Sequence, residues 1–155
     1  MLKADNISLR LLIESDLNFL YSIENDPLNN QFTHQSNYFS KETLRKYISN
    51  SNADISRYSQ IRFVITLDND PIGLIDLFEY DQLLQQAGIG IFISKDFRSN
   101  TYGAKALALL ISYSWNSLDL LFLFTNIKKE NIISIALFKK LGFLHINNNL
   151  YQLNK

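Results

Sequence analysis

The chain has 155 residues, 46% hydrophobic and 13% aromatic, which is enough for the core of one domain and too few for two ordinary ones. Lys plus Arg and Asp plus Glu balance at 15 each, so the basic excess that neutralises nucleic-acid phosphates is missing. The sequence has no Cys, which excludes disulfides, thiolate nucleophiles and Cys-based metal sites, and its two histidines, His34 and His145, are too far apart to form a metal-binding pair.

The opening residues Met1 to Asn6 lack an apolar signal core, and no apolar run approaches the roughly 20 residues that span a bilayer. The expectation is a cytoplasmic protein with no membrane or nucleic-acid partner. Residues 7–12 read as a strand. Ser15 is placed to cap a helix starting at Asp16, with Leu17, Leu20 and Tyr21 on its apolar stripe, that ends near Asp26 and Pro27. Ser40 caps a second helix, in which Leu44, Tyr47 and Ile48 keep helical spacing.

The pattern then changes period. Residues 62–67 and 72–80 are β-branched and apolar runs joined by the turn Asp68-Asn69-Asp70-Pro71, which makes a hairpin. Residues 88–94 are almost continuously apolar, as expected of a strand covered on both faces. A helix over 103–118, a strand over 120–126 and a helix over 132–141 follow, the last ended by Gly142. Residues 144–153 form a closing hairpin around Asn147-Asn148-Asn149. A helical crossover between the strands at 88–94 and 120–126 makes them parallel neighbours. The expected architecture is α/β, a mixed sheet with helices on both faces.

The junction Phe97-Arg98-Ser99-Asn100-Thr101-Tyr102-Gly103-Ala104 leads from a buried strand into a helix. Free backbone N–H groups at a helix start, backed by the helix dipole, form an anion site, and Arg98 adds a positive charge beside it. The same residues also suit an ordinary strand-to-helix turn with a surface arginine.

Two motifs in order sharpen this reading. Asp96-Phe97-Arg98-x-x-x-Tyr102-Gly103-x-x-Ala106-Leu107 resembles the acetyl-CoA loop of the GNAT acetyltransferase family, and Asn131-x-x-Ser134-Ile135-x-x-Phe138-x-Lys140-x-Gly142-Phe143 resembles that family's last helix. Leu9-Arg10-Leu11 with Glu14-x-Asp16-Leu17, and Pro71-Ile72-Gly73-Leu74-Ile75, are similar to segments of its ribosomal-protein and spermidine acetyltransferase branches. The resemblance runs over nearly the whole chain and implies a single GNAT domain over residues 1–155.

The resemblance implies splayed parallel central strands with the pantetheine arm of acetyl-CoA in the gap. The backbone of Phe92, Ile93 and Ser94 would bond the pantetheine amides. Ser99, Asn100, Thr101, Tyr102, Gly103 and Ala104, with Arg98 nearby, would hold the pyrophosphate. Asn126, Asn131 and Phe138 would lie along the arm. The implied reaction is direct attack of an amine on the thioester, with the acceptor a small metabolite or a protein N-terminus, and a homodimer is an allowed assembly. The alternative is a non-catalytic CoA-binding relative acting as a sensor or interaction module, and a third reading is another nucleotide-binding α/β module.

Two residues depart from the family pattern. Thr101 stands where a glycine is usual, and a β-branched side chain tolerates positive φ poorly. Phe138 stands where many members place a tyrosine that protonates the departing thiolate. The general base is sought among Asp76, Glu79 and Asp81. Asp76 lies in an apolar strand where desolvation would raise its pKa, whereas Glu79 and Asp81 suit a solvated strand end. His34 reads as a loop residue bordering the acceptor, or simply solvated, and His145 as structural. Tyr38, Tyr80 and Tyr151 suit the acceptor pocket or the core.

Overall fold

A computed structural model describes residues 2–27, 38–51, 54–98 and 100–155. Its strands are β1 (Leu2–Ala4), β2 (Ile7–Leu11), β3 (Ile61–Leu67), β4 (Asp70–Asp81), β5 (Gln86–Ile93), β6 (Phe122–Asn126), β7 (Leu144–Asn147) and β8 (Leu150–Asn154). Among the described residues they form one eight-stranded sheet in the order β1-β2-β3-β4-β5-β6-β8-β7. The helices are α1 (Leu17–Glu24), α2 (Lys41–Asn50), α3 (Ile55–Tyr58), α4 (Tyr102–Asn116) and α5 (Ile132–Lys140).

Strand alternation sorts the core into two layers. Val64 and Leu74, partners across β3 and β4, turn to one face and pack with Leu17 and Leu20 of α1 and Leu44 and Ile48 of α2. Ile65, Ile75 and Ile89 turn to the other face, where they share a larger cluster with Leu107 and Leu110 of α4 and Phe138 of α5. Helices therefore cover both faces, as the sequence pattern predicts.

Nearly every pairing is antiparallel. The β3–β4 turn works because Asp68 and Asn69 take φ of 49° and 74°, which short polar side chains tolerate. Among the described residues the one parallel pair is β5 with β6, joined by the α4 crossover, and its register covers only Gln86 with Phe122, Ala87 with Leu123 and Gly88 with Phe124. Beyond Gly88 the two strands part.

The start of α1 differs from expectation. Ser15 does not cap it, because residues Glu14–Asp16 form a 3-10 turn and the helix begins at Leu17. Asp16 takes over that end: its carboxylate, 2% exposed, accepts two bonds from Arg10 at 2.7 and 2.9 Å and one from the Ile13 N–H at 2.8 Å. Strand β1 and the short helix α3 were not foreseen, since three or four residues carry no periodicity to read.

Burial pushes the Asp16 carboxyl up, but the bonds from Arg10 and Ile13 outweigh it and hold the pKa below its ordinary value. A depressed acid contributes stability above its unfolded-state pKa, about 4, and loses it as pH falls further. Asp16→Asn is therefore expected to destabilise the protein at neutral pH by about 2 kcal/mol and to flatten the decline of stability on the acid side. Urea unfolding across a pH series measures both effects.

Candidate functional site

The parting of β5 from β6 builds the site. The Ser94 N–H bonds the Ile72 carbonyl at 2.8 Å, so this residue faces β4. Alternation then sends Phe92 the same way and turns the backbone groups of Ile91 and Ile93 toward the gap. The Ile93 carbonyl does face outward, because the Arg98 side chain donates to it through Nε at 2.7 Å. Of the residues expected to bond the pantetheine through their backbone, Ile93 is thus turned to the gap, while Phe92 and Ser94 are turned to the neighbouring strand. Ile91 was not singled out, because which residue faces the gap depends on the β4 pairing and not on residue type.

The phosphate-type loop lies at the end of β5. Thr101 precedes α4 with φ of −81° and makes no side-chain cap bond. The Lys105 N–H closes the first helical turn on the Thr101 carbonyl at 3.0 Å, so the N–H groups of Tyr102, Gly103 and Ala104 lie ahead of the intrahelical ladder. Helices α2 and α5 are capped by side chains, Ser40 accepting from the Thr43 N–H and Asn131 from the Ser134 N–H, whereas α1, like α4, starts without one. At α1 the Arg10 charge beside that start is already taken by Asp16, whereas Arg98 precedes the bare start of α4 in the same loop. With φ negative at Thr101, the β-branched side chain carries no left-handed strain, and the loop takes a different local conformation from one that needs glycine there.

The remaining loop residues follow from packing. Gly103 is buried because a Cβ there would meet Leu137 of α5 at 3.3 Å and Ile93 of β5 at 3.8 Å. Asn100 is exposed and its side chain donates back to the Phe97 and Arg98 carbonyls. The Arg98 guanidinium lies 5.4 Å from the centre of the Phe92 ring. Ser99 and His34 lie outside the described residues.

On the far side of the gap, Asn126 ends β6 and pairs with Leu150, while Asn131 spends its side-chain oxygen on the α5 cap. Phe138 is 2% exposed and packs edge to face on Phe143, with ring centres 5.0 Å apart. Its place is the core. His145 stacks on Tyr151, and Tyr151 is buried. Tyr80 packs against the main core, whereas exposed Tyr38 bonds the Tyr21 hydroxyl.

The acidic candidates separate clearly. Asp76 pairs across the sheet with Arg62 on one side and Gly90 on the other. Arg62 holds Glu24 of α1 at 2.7 Å and Asp76 at 3.6 Å, with Asp76 only 23% exposed. Burial raises the Asp76 pKa, Arg62 pulls it back, and Glu24 adds to the rise; the net direction is upward. Tyr47 of α2 packs on this Arg62, ring centre 5.6 Å away, and burial likewise raises its phenol. A cleft of about 210 Å³ lined by Tyr47, Tyr58, Gln60 and Arg62 opens on the β3 side of this cluster. Glu79 instead sits exposed in a β4 bulge with φ of 48°, and Asp81 accepts the Leu84 N–H in the β4–β5 turn. Arg62 escaped the sequence reading because a lone arginine in an apolar strand looks like a surface residue. Its match with Asp76 becomes visible only through register.

Comparison with known proteins agrees with this geometry. A family model described as an acetyltransferase (GNAT) domain matches residues 6–144. A spermidine N(1)-acetyltransferase of Escherichia coli strain K12 is 27% identical over 146 residues, covering 92% of this chain and 75% of its own. Among solved structures, spermidine N-acetyltransferase from Vibrio cholerae in complex with CoA and spermine superposes with TM-score 0.84 at 20% identity, covering 96% of this chain and 95% of that one. A GNAT-family acetyltransferase from Bacillus anthracis gives 0.81 at 16% identity, covering 99% and 97%.

Because Thr101 is unstrained and caps nothing, Thr101→Gly is expected to change stability by only a few tenths of a kcal/mol. It should leave the thermal shift produced by CoA in place. Parallel melts with and without CoA check this, and a large gain in CoA-dependent stabilisation would show that the threonine obstructs the loop.

Proposed function

The chain belongs to the GNAT acetyltransferase family, whose members use acetyl-CoA, and on that premise we propose that it moves an acetyl group from acetyl-CoA to a primary amine. The observation that carries this reading is the β5–β6 pairing that stops at Gly88 and Phe124, beside a helix start with no side-chain cap. The fit of residues to cofactor follows from chemistry. The N–H groups of Tyr102, Gly103 and Ala104, with Arg98 nearby, suit a pyrophosphate. The gap-facing groups of Ile91 and Ile93 suit the amides of the pantetheine arm. Asn126 and Asn131 border that arm on the β6 side, and Phe138 supports it from the core.

Acetyl-CoA supplies the activated acyl carbon. With the phosphates at the loop, the arm runs back toward the vertex at Gly88, so the thioester lies near the Ile91 N–H. That donor stabilises the carbonyl oxygen as charge builds on it. The amine attacks the carbonyl carbon and the C–S bond breaks. Asp76 takes the amine proton directly or through water, its raised pKa suiting it to the task. Glu79, exposed on its bulge, is the weaker candidate. Because Phe138 has no ionisable proton to give, the leaving thiolate takes its proton from solvent.

A cytoplasmic setting, where acetyl-CoA is available, belongs to the same reading. So does a homodimer formed along the free edge of β7, whose Leu144 and Ile146 are 70% and 51% exposed.

Thiol release from acetyl-CoA in the presence of amines tests the reading directly, and a chain without Cys contributes no thiol of its own. Turnover is expected. Asp76→Asn should lower kcat by about a hundredfold while the melting temperature holds. A base with raised pKa works above that pKa, so the rate falls as pH drops through it. Arg62 now pulls the Asp76 pKa down, so Arg62→Met should shift the acid limb of the pH–rate profile to higher pH. CoA binding without turnover of any amine would favour the non-catalytic sensor instead.

A further inference from the structure

The Ile93 carbonyl is already engaged. Arg98 donates to it through Nε at 2.7 Å, and the same guanidinium lies 5.4 Å from the centre of the Phe92 ring. That carbonyl faces the gap, since it is Ser94 that bonds Ile72 of β4 at this end of the strand. It is therefore one of the acceptors that an amide of the pantetheine arm would use, and the Arg98 side chain stands in the mouth of the slot. A tight turn brings it there. The Phe97 N–H bonds the Ser94 carbonyl at 2.9 Å and the Arg98 N–H bonds the Lys95 carbonyl at 3.3 Å, which folds residue 98 back toward residue 93.

Arg98 is held by little else. It is exposed, and no ion pair among the described residues includes it. The bond to Ile93 uses Nε alone, so both terminal nitrogens keep their donors for another acceptor. A neutral carbonyl is a weaker partner for a guanidinium than a phosphate, which accepts two parallel charge-assisted bonds. Three residues along the chain, the uncapped start of α4 presents the N–H groups that suit a diphosphate. A diphosphate seated there draws the guanidinium from Ile93 and frees the carbonyl for the arm. A pantetheine arm without phosphates exerts no such pull and has to compete with Arg98 for the same oxygen.

We propose that Arg98 is a specificity-determining latch on the donor side. It closes the slot at Ile93 until a diphosphate draws it to the start of α4. The chain thereby favours an acyl group carried on CoA over the same group on a pantetheine arm that lacks the diphosphate. This rests on the acetyl-transfer reading above and adds to it a selection among donors.

The test measures dissociation constants by calorimetry for CoA and for pantetheine, its phosphate-free thiol arm. Each is titrated into the full chain and into Arg98→Met, which keeps an apolar stem beside Phe92 and removes the donors. The variant is expected to bind pantetheine about fivefold more tightly and CoA about tenfold more weakly. Pantetheine binding that does not tighten, whether unchanged, weakened or too weak to see in both chains, overturns the latch and leaves acetyl transfer standing. CoA that binds neither chain overturns both. A second measurement needs no variant. In the native chain the Arg98 Nε–H resonance should be protected from solvent exchange when free and should shift on adding CoA but not pantetheine. A resonance that CoA leaves in place shows the bond to Ile93 persisting, which contradicts the latch.

Discussion

The site depends on a backbone conflict between two strands that are neighbours for only part of their length. Strand β5 stays paired with β4 through Ile93, and β6 stays paired with β8 through Asn126, so each strand keeps one partner while losing the other after Gly88 and Phe124. Backbone N–H and C=O groups must find partners, and a sheet opened from within leaves some of them aimed into a slot. Arg98 satisfies one, the Ile93 carbonyl. An extended ligand that carries its own amides can satisfy the rest, which is why a fold of this kind suits the pantetheine arm. On the proposed reading, the phosphates of that ligand emerge at the bare start of α4.

A second dependency is electrostatic. Two carboxylates, Glu24 and Asp76, are brought to one arginine by register across β3 and β4 and by the packing of α1 on that face. Without Arg62 the carboxylates would repel each other in a poorly solvated place. With it, the guanidinium draws the Asp76 pKa back, while burial still holds it above an ordinary carboxylate. Gly90 matters here for its lack of a side chain, because any Cβ would press on the Asp76 oxygen. Asp16, with Arg10 and the Ile13 N–H around it, shows the opposite balance: more bonds to the charged form, and a depressed pKa.

Much of the fold was legible because its long elements have strong periodicity. The β3–β4 hairpin is announced by Asp68-Asn69-Asp70-Pro71, and α5 by its apolar spacing and the closing Gly142, which has φ of 99°. The crossover between β5 and β6 followed from a helix between two apolar runs. Local chemistry was harder to assign. Ser15 looked like the cap of α1, yet a buried Asp16 held by Arg10 decided that end. Phe92, Ile93 and Ser94 could not be sorted by residue type, because which backbone faces the gap is set by the β4 register. Arg62 belongs to the acidic cluster through cross-strand pairing, which no short sequence window contains.

Amide hydrogen exchange along β5, with and without CoA, tests the central claim most directly. The account predicts that the Ile91 and Ile93 amides exchange readily in the free protein and slow markedly when CoA is bound, while the Ser94 amide, already bonded to Ile72, changes little. CoA binding that leaves Ile91 and Ile93 unaltered would contradict it, since the ligand would then lie outside the gap between β5 and β6.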